Sequence, residues 1–179
     1  MEKNVWSPTP LSVHDKKHCK GVALEIGCGI GRVLKHLPDG SVGIDHNKRS
    51  VDYCNSHGLS AQTTEEFDSS QLINNKVFDD IIFAHVLEHM NIFDSTQLVR
   101  KYVKFLKHDG RIIIITPQQM GFRSDPTHKQ YLDFSGIKKI IEDNGFHVNL
   151  NKSFPFPRVF GKIFKYNEFF TVSTNSPLG

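Results

Sequence analysis

Two stretches of this sequence carry residue types that do chemistry. The first is Glu25-Ile26-Gly27-Cys28-Gly29-Ile30-Gly31. Glycines spaced this closely allow positive φ and let the backbone approach a ligand. A helix starting beyond them would offer free N–H groups. The spacing is G-x-G-x-G, with an acid two positions before the first glycine. A dinucleotide fingerprint reads G-x-G-x-x-G, and Arg32 occupies the slot its last glycine needs. No phosphate-loop lysine motif occurs in the chain. Asp45 follows 20 positions after Glu25. A carboxylate there can accept both hydroxyl protons of a ribose through short, charge-assisted hydrogen bonds.

The second stretch is His85-Val86-Leu87-Glu88-His89-Met90. As a bare pattern it is H-x-x-E-H, a zinc-protease signature. That chemistry needs both histidines on one helix and a further ligand. Here His85 follows a strand directly, and a hydrolase would leave the glycine turn and Asp45 without a purpose. His85, His89 and the later His128 are instead candidate bases, because an imidazole titrates near neutral pH. The bland alternative for each is a hydrogen-bonded loop histidine.

The elements that must position these residues follow from the hydrophobic pattern. Short apolar blocks at 22–26, 41–45, 59–63, 78–84 and 111–116 read as strands, the last carrying four consecutive isoleucines. Helical stretches at 32–37, 48–57, 95–106 and 135–144 lie between and after them. Gly58 and Gly145 suit helix stops, Ser95 (or Asp94) and Ser135 suit helix starts, and Asp109-Gly110 suits a turn. Residues 146–150 and 169–173 can supply two last strands. Strands alternating with helices predict parallel βαβ crossovers. The expected fold is α/β, doubly wound, with helices on both faces. Ligands in such sheets bind at the carboxyl ends of the strands, near the topological switch point.

Composition bounds the class. With 179 residues, a formal charge of +3 and 38% hydrophobic residues, the chain suits one globular domain. No apolar run reaches the length of a membrane span. The three cysteines, Cys19, Cys28 and Cys54, form no spaced framework and suit reduced thiols in the cytoplasm. So mild a charge argues against nucleic acid as partner.

The motifs together resemble the class I S-adenosylmethionine-dependent methyltransferases, in particular the small single-domain enzymes of the ubiquinone and menaquinone biosynthesis type. The resemblance is carried by LEIGCGIGR from Leu24, GIDHN from Gly43, FDDIIFAHVLEHM from Phe78 and LKHDGRIIIITP from Leu106, and DPTHKQYLDFSGIKKIIEDNGF from Asp125 extends it. It implies a Rossmann-like methyltransferase fold over the whole of 1–179, with a mostly parallel seven-stranded sheet and an antiparallel last strand. It implies S-adenosyl-L-methionine as cofactor and S-adenosyl-L-homocysteine as product. Gly27 and Gly29, with Cys28 and Gly31, would pass beneath the methionine portion. Glu25 would order the loop or reach the cofactor amino group through water. Asp45 would hold the ribose, with His46 near the adenine. Thr64 and Glu65, beside Glu66, fall where the family contacts the base. Ala84 and His85 would flank the methionine end.

The implied activity is methyl transfer to a small or medium-sized acceptor, with O-methylation slightly favoured. Residues 117–134 and 154–170 are the expected acceptor-side segments. The second holds six of the fourteen phenylalanines, interleaved with Arg158, Lys162 and Lys165. It reads either as a core-packing helix or as an aromatic, basic lid. Residues 1–20, with Pro8 and Pro10, suggest a short N-terminal extension. An open pocket taking a bulky acceptor, or one completed by a partner chain or homodimer, is therefore expected. No metal is the first expectation. The alternative ligand set is Glu88, His89 and His128, since small-RNA 2′-O-methyltransferases and some quinone-precursor O-methyltransferases hold a divalent ion with a related Glu-x-x-Glu-His stretch. A non-catalytic S-adenosylmethionine-binding protein, an RNA 2′-O-methyltransferase and a nicotinamide oxidoreductase are the competing functions.

Overall fold

The computed structural model describes residues 19–69 and 77–175. The expected N-terminal extension, but for its last two residues, lies outside them. Strands β1 (Ala23–Ile26), β2 (Val42–Asp45), β3 (Ala61–Thr63), β4 (Phe78–Ala84), β5 (Leu106–Pro117), β6 (His147–Phe154) and β7 (Glu168–Thr174) form one seven-stranded sheet in the order β3-β2-β1-β4-β5-β7-β6. All pairs from β3 across to β5 are parallel, while β7 runs antiparallel to both β5 and β6. This is the doubly wound, Rossmann-like methyltransferase fold. The chain winds outward from β1 to β3, then returns to place β4 on the other side of β1. The switch point therefore lies between the carboxyl ends of β1 and β4.

Alternation along the central strands explains why they read as continuous apolar runs. Ile112 and Ile114 of β5 join one buried cluster with Leu24, Ile81 and Phe83. Ile113 and Ile115 join the other, with Ala23, Ile82 and Ala84. The first cluster is closed by α3 (Ile92–Val103) and α5 (Phe134–Glu142), with the short α4 (Gln119–Arg123) between them in the chain, through Val99, Tyr102, Ile137, Ile140 and Ile141. Phe67 of α2 (Thr64–Ser69) packs there too. The second is covered over β1 and β2 by α1 (Lys48–Ser56) through Val51 and Cys54, and by Leu34 of a short 3₁₀ turn. A strand buried on both faces needs apolar residues at every position, not every second one.

Several local expectations are corrected. The helix expected at 32–37 is only the 3₁₀ turn Leu34–His36. Gly31 enters it at φ +76°, and Leu37 is already extended because Pro38 follows. Helix α3 begins at Ile92, not at 95. Its cap is Asn91, whose side chain accepts from the Asp94 N–H, while Ser95 is buried and donates to the Leu87 carbonyl. Helix α5 is capped by Asp133, which accepts from the N–H groups of Ser135 and Gly136. Asp109 and Gly110 lie within β5, in an irregularity of its pairing with β4. Gly58 and Gly145 do adopt positive φ at the ends of their helices. Among the described residues no helix is long and apolar enough to cross a membrane.

Candidate functional site

A cleft of about 590 Å³ opens at the carboxyl ends of β1, β4 and β5, at the switch point. One wall is the glycine loop. It is tied to the end of β2: the N–H groups of Gly27 and Cys28 both donate to the Ile44 carbonyl, at 2.7 and 3.0 Å. The Gly29 N–H donates to Asp45 Oδ2 at 2.8 Å. Gly27, Gly29 and Gly31 all have positive φ. A Cβ on Gly27 would meet Val86 Cγ2 at 2.5 Å, whereas one on Gly29 would meet nothing within 4 Å. Gly29 thus leaves open space beside the cleft while its N–H and carbonyl are engaged by Asp45 and Cys54 Sγ, and Gly27 lets β1 pass close beneath the β4 loop.

Glu25 also lines the cleft, although its residue is 2% exposed. Burial pushes its carboxyl up to about 8, against a backbone hydrogen bond at Leu34 that favours the charged form and a contribution from Asp45 that opposes it. Its Oε2 has no hydrogen-bond partner. Cys28 is buried, and burial followed by the nearby Glu25 raises its thiol pKa strongly. It packs beside Gly43 and is unsuited to act as a nucleophile.

The cofactor-side candidates divide. Glu25, Gly27, Cys28, Gly29, Ala84 and His85 line the cleft. Gly31, Asp45, His46, Thr64 and Glu65 do not; Asp45 sits behind the glycine loop. Its oxygens accept from the Gly29 and Asn47 N–H groups, each at 2.8 Å, which leaves one lone-pair direction on each. His46 and Glu65 are exposed and Thr64 is half-buried. Glu66 is committed to a capping box: it accepts from the Thr63 N–H at 2.7 Å, and Thr63 Oγ1 accepts from the Glu66 N–H.

The opposite wall gathers the histidines. His85 ends β4 at φ +57°. Its Nε2 donates to Glu168 Oε1 at 2.9 Å, and its Nδ1 lies 3.3 Å from Glu88 Oε1. Burial alone would lower the imidazole pKa, but Glu168 and then Glu88 overcome it and hold it up at about 10. His85 is therefore an imidazolium clamped between two buried carboxylates, 38% exposed along its side chain. An imidazolium accepts no proton, so the two carboxylates beside His85 weigh against a base role for it.

His128 and His89 are set differently. His128 Nδ1 donates to the Phe122 carbonyl at 2.9 Å, and its ring stacks on Phe122. Thr127 Oγ1 gives its proton to Asp125 Oδ1 and so accepts from His89 Nδ1, at 3.1 Å. In the neutral tautomers these bonds define, neither Nε2 atom makes a hydrogen bond, and that of His128 lies 3.9 Å from both Glu88 Oε1 and Asp125 Oδ2. Ligand atoms of Glu88, His89 and His128 lie within 4.8 Å of one another. Glu88 is fully buried, and neither of its oxygens has a hydrogen-bond partner.

Residues 117–134 and 154–170 meet at this end. Pro117, Gly121, Ser124, Asp125 and His128 line the cleft from the first, and Lys165, Tyr166 and Glu168 from the second. Arg158 joins them, donating to Gln119 Oε1 at 2.6 Å and Tyr131 Oη at 3.1 Å. Sequence reasoning misses Glu168. Its one signal is an acid opening an otherwise apolar and hydroxylic strand, EFFTVST.

Residues 24–114 match the family described as a methyltransferase domain. An uncharacterized methyltransferase of Alkaliphilus oremlandii is 27% identical over 150 residues, covering 76% of this chain but only 60% of that relative's length. Among solved structures, an S-adenosylmethionine-dependent methyltransferase from Archaeoglobus fulgidus superposes with a TM-score of 0.65 at 19% identity, over 86% of this chain and 85% of that one. Magnesium protoporphyrin IX methyltransferase from Synechocystis, with S-adenosylhomocysteine bound, gives 0.63 at 16%, over 93% and 79%. A Haloferax volcanii methyltransferase in complex with the Trm112 activator gives 0.69 at 14%, over 92% and 88%. The structural likenesses speak for the fold. The sequence match spans just over half of the chain, and it includes the glycine loop, Asp45 and the His85–His89 stretch: this chain belongs to the methyltransferase domain family.

Proposed function

We propose that the cleft binds S-adenosyl-L-methionine and that the chain transfers its methyl group to the oxygen of a small or medium-sized acceptor. The observation that carries this is the pairing of two walls at the switch point. Open space at Gly29 and the unpartnered Glu25 Oε2 stand on one side, and two histidines whose Nε2 atoms make no hydrogen bond on the other. A buried carboxyl without a partner suits the ammonium of an amino acid moiety. The remaining lone pairs of Asp45 suit ribose hydroxyls once the glycine loop admits them. Thr64 and the exposed His46 and Glu65 are the residues proposed to border the adenine.

S-adenosylmethionine supplies an electrophilic methyl on a positively charged sulfur. The chain's part is to align an acceptor oxygen with that methyl and to take up the acceptor's proton. Alignment in a closed geometry supplies much of the rate of such an in-line displacement. His128 Nε2 is the proposed proton acceptor, because its Nδ1 is fixed by the Phe122 carbonyl and its ring stacks in place. His89 is the second candidate. His85 instead holds the carboxyl end of β4 to the start of β7.

A second reading of the same histidines is favoured by one observation: the buried Glu88 carboxyl makes no hydrogen bond and faces His89 and His128, while its Oε1 also lies 3.3 Å from His85 Nδ1. These three would hold a divalent ion, with Phe122 and Thr127 orienting the rings as outer-sphere partners do. The mixed nitrogen and oxygen set suits zinc or a similar ion better than magnesium. Such an ion would polarise the acceptor oxygen and lower its pKa. Assay of an acceptor panel before and after chelation separates the two. His128→Ala with full activity on every acceptor methylated by the parent protein refutes the base assignment. Loss of activity on chelation, restored by zinc, favours the metal. Gel filtration with multi-angle scattering tests whether a second copy completes the cleft.

A further inference from the structure

The connection between β6 and β7 is not the core-packing helix that its composition first suggests. It contains only the 3₁₀ turn Arg158–Lys162. Its large apolar side chains turn outward: Ile163 is 73% exposed and Val159 66%, and Phe156 and Phe160 are exposed beside them. The backbone beneath is nonetheless firmly built. Asn167 Oδ1 accepts from the Phe156 N–H at 2.9 Å, and Asn167 Nδ2 donates to Gln118 Oε1 at 3.0 Å. Arg158 is held by Gln119 and Tyr131, and a Cβ on Gly161 would collide with the Gln118 side chain. The fold thus presents these apolar groups on a fixed support.

The charge of the segment is one-sided. From Gly145 to Asn167 there is no acidic residue, while Lys152, Arg158, Lys162 and Lys165 all occur. Several lysines elsewhere find carboxylates, as Lys48 does with Asp52, Lys101 with Asp68 and Lys107 with Asp79. Lys162 and Lys165 form no ion pair among the described residues, and Lys162 is exposed. We propose that this connection is a membrane-facing surface: Phe156, Val159, Phe160 and Ile163 enter the interface of an anionic bilayer, and Lys162 and Lys165 lie among its phosphates.

Apolar side chains flanked by unpaired lysines form the chemistry that binds such an interface without crossing it. A second copy of the chain fits worse. A two-fold contact through this patch would set its lysines against their own equivalents, with no acid to neutralise them. The patch also leads inward. The rings of Phe160, Phe156, Phe164 and Tyr166 follow one another at centroid spacings of 5.6, 5.1 and 5.8 Å, and Tyr166 lines the cleft. The bilayer would thereby deliver an amphipathic acceptor, its apolar part along the rings and its hydroxyl at the cleft. That last step rests on the methyltransferase reading, and the surface itself does not.

The test is flotation of the full chain with vesicles of phosphatidylcholine alone or with about one third phosphatidylglycerol, at low and high salt. Binding to the anionic vesicles is expected, weakening as salt rises. Ile163→Ser and Phe160→Ser should each weaken it at least ~10-fold, and Lys162→Gln about 5-fold. None of the three lines the cleft, so calorimetric S-adenosylmethionine affinity should stay unchanged and report an intact fold. Absence of wild-type binding to anionic vesicles overturns the surface. So does equal binding to neutral vesicles that Lys162→Gln leaves untouched, or a dimer in sedimentation that Ile163→Ser dissociates while vesicles go unbound. Vesicle binding by a chain that ignores S-adenosylmethionine upholds the surface and strikes the methyltransferase reading alone.

Discussion

Replacing Glu25 by glutamine tests the electrostatics of the cleft wall. Glu25 is fully buried, with its carboxyl moved from 4.5 to about 8 by desolvation. The folded chain therefore holds a proton there that the unfolded chain releases above pH 4.5. Where the native state binds more protons than the unfolded state, stability falls as pH rises. Each pH unit costs about 1.4 kcal/mol. Across the window from 4.5 to about 8 this sums to about 5 kcal/mol, and the loss then levels off. In Glu25→Gln the new amide would keep an acceptor for the backbone N–H at Leu34 and bear no charge at any pH. Urea unfolding of both proteins at several pH values, with S-adenosylmethionine absent, reads the difference directly. The variant's advantage should be near zero at pH 4.5 and should grow to about 5 kcal/mol by pH 8.5. Titrating groups that do not interact with Glu25 are common to both proteins and cancel. A difference independent of pH, or one favouring the parent protein at pH 8.5, would refute the reasoning.

Other perturbations have equally definite outcomes. Asp45→Ala removes the acceptor of the Gly29 and Asn47 N–H groups; it should cost about 2–4 kcal/mol in denaturant unfolding and weaken S-adenosylmethionine at least ~10-fold. Asp45→Ala with parental affinity removes Asp45 from the site. The ion pairs of His85 with Glu168 and Glu88 stabilise the fold fully below the imidazole's ordinary value of 6.5 and are lost as pH rises through about 10. His85→Gln should flatten that part of the stability–pH curve and lower stability by about 2 kcal/mol at pH 6, less than a fully buried pair because the ring edge meets solvent. An unchanged curve shape shows the clamp to be inert. Gly27→Ala must adopt φ +71° and push Val86 aside; a loss of about 2 kcal/mol or more in thermal unfolding is expected, whereas Gly29→Ala, with open space at its Cβ, should cost only about 1 kcal/mol but should impair ligand binding.

Much of the fold is legible in the residues alone, and the reasons are local. The isoleucine strand declares itself because burial on both faces leaves no polar alternation to blur it. The glycine turn and Asp45 stand at fixed offsets from two strands, so strand placement alone brings them to one end of the sheet. Helix starts are less legible. Asn91, not Ser95, caps α3, because Ser95 is carried inward to the Leu87 carbonyl, a tertiary partner that no local pattern reveals. The 154–170 segment has helix-like hydrophobicity without a core to receive it, since Phe169 and Phe170 of β7 already occupy the two clusters. In the sequence the three histidines are equivalent candidates. Their difference is set by Glu168, 83 positions from His85, and by the backbone carbonyl of Phe122, neither of which spacing can name.

The central claim is that this cleft is built for S-adenosylmethionine, and calorimetric titration of the full chain with S-adenosylmethionine, S-adenosylhomocysteine and NAD tests it most directly. One molecule of either sulfur nucleotide should bind per chain with a dissociation constant in the micromolar range (~1–100 μM), and NAD should give no saturable heat. Saturable binding of NAD with none of either sulfur nucleotide would contradict the account.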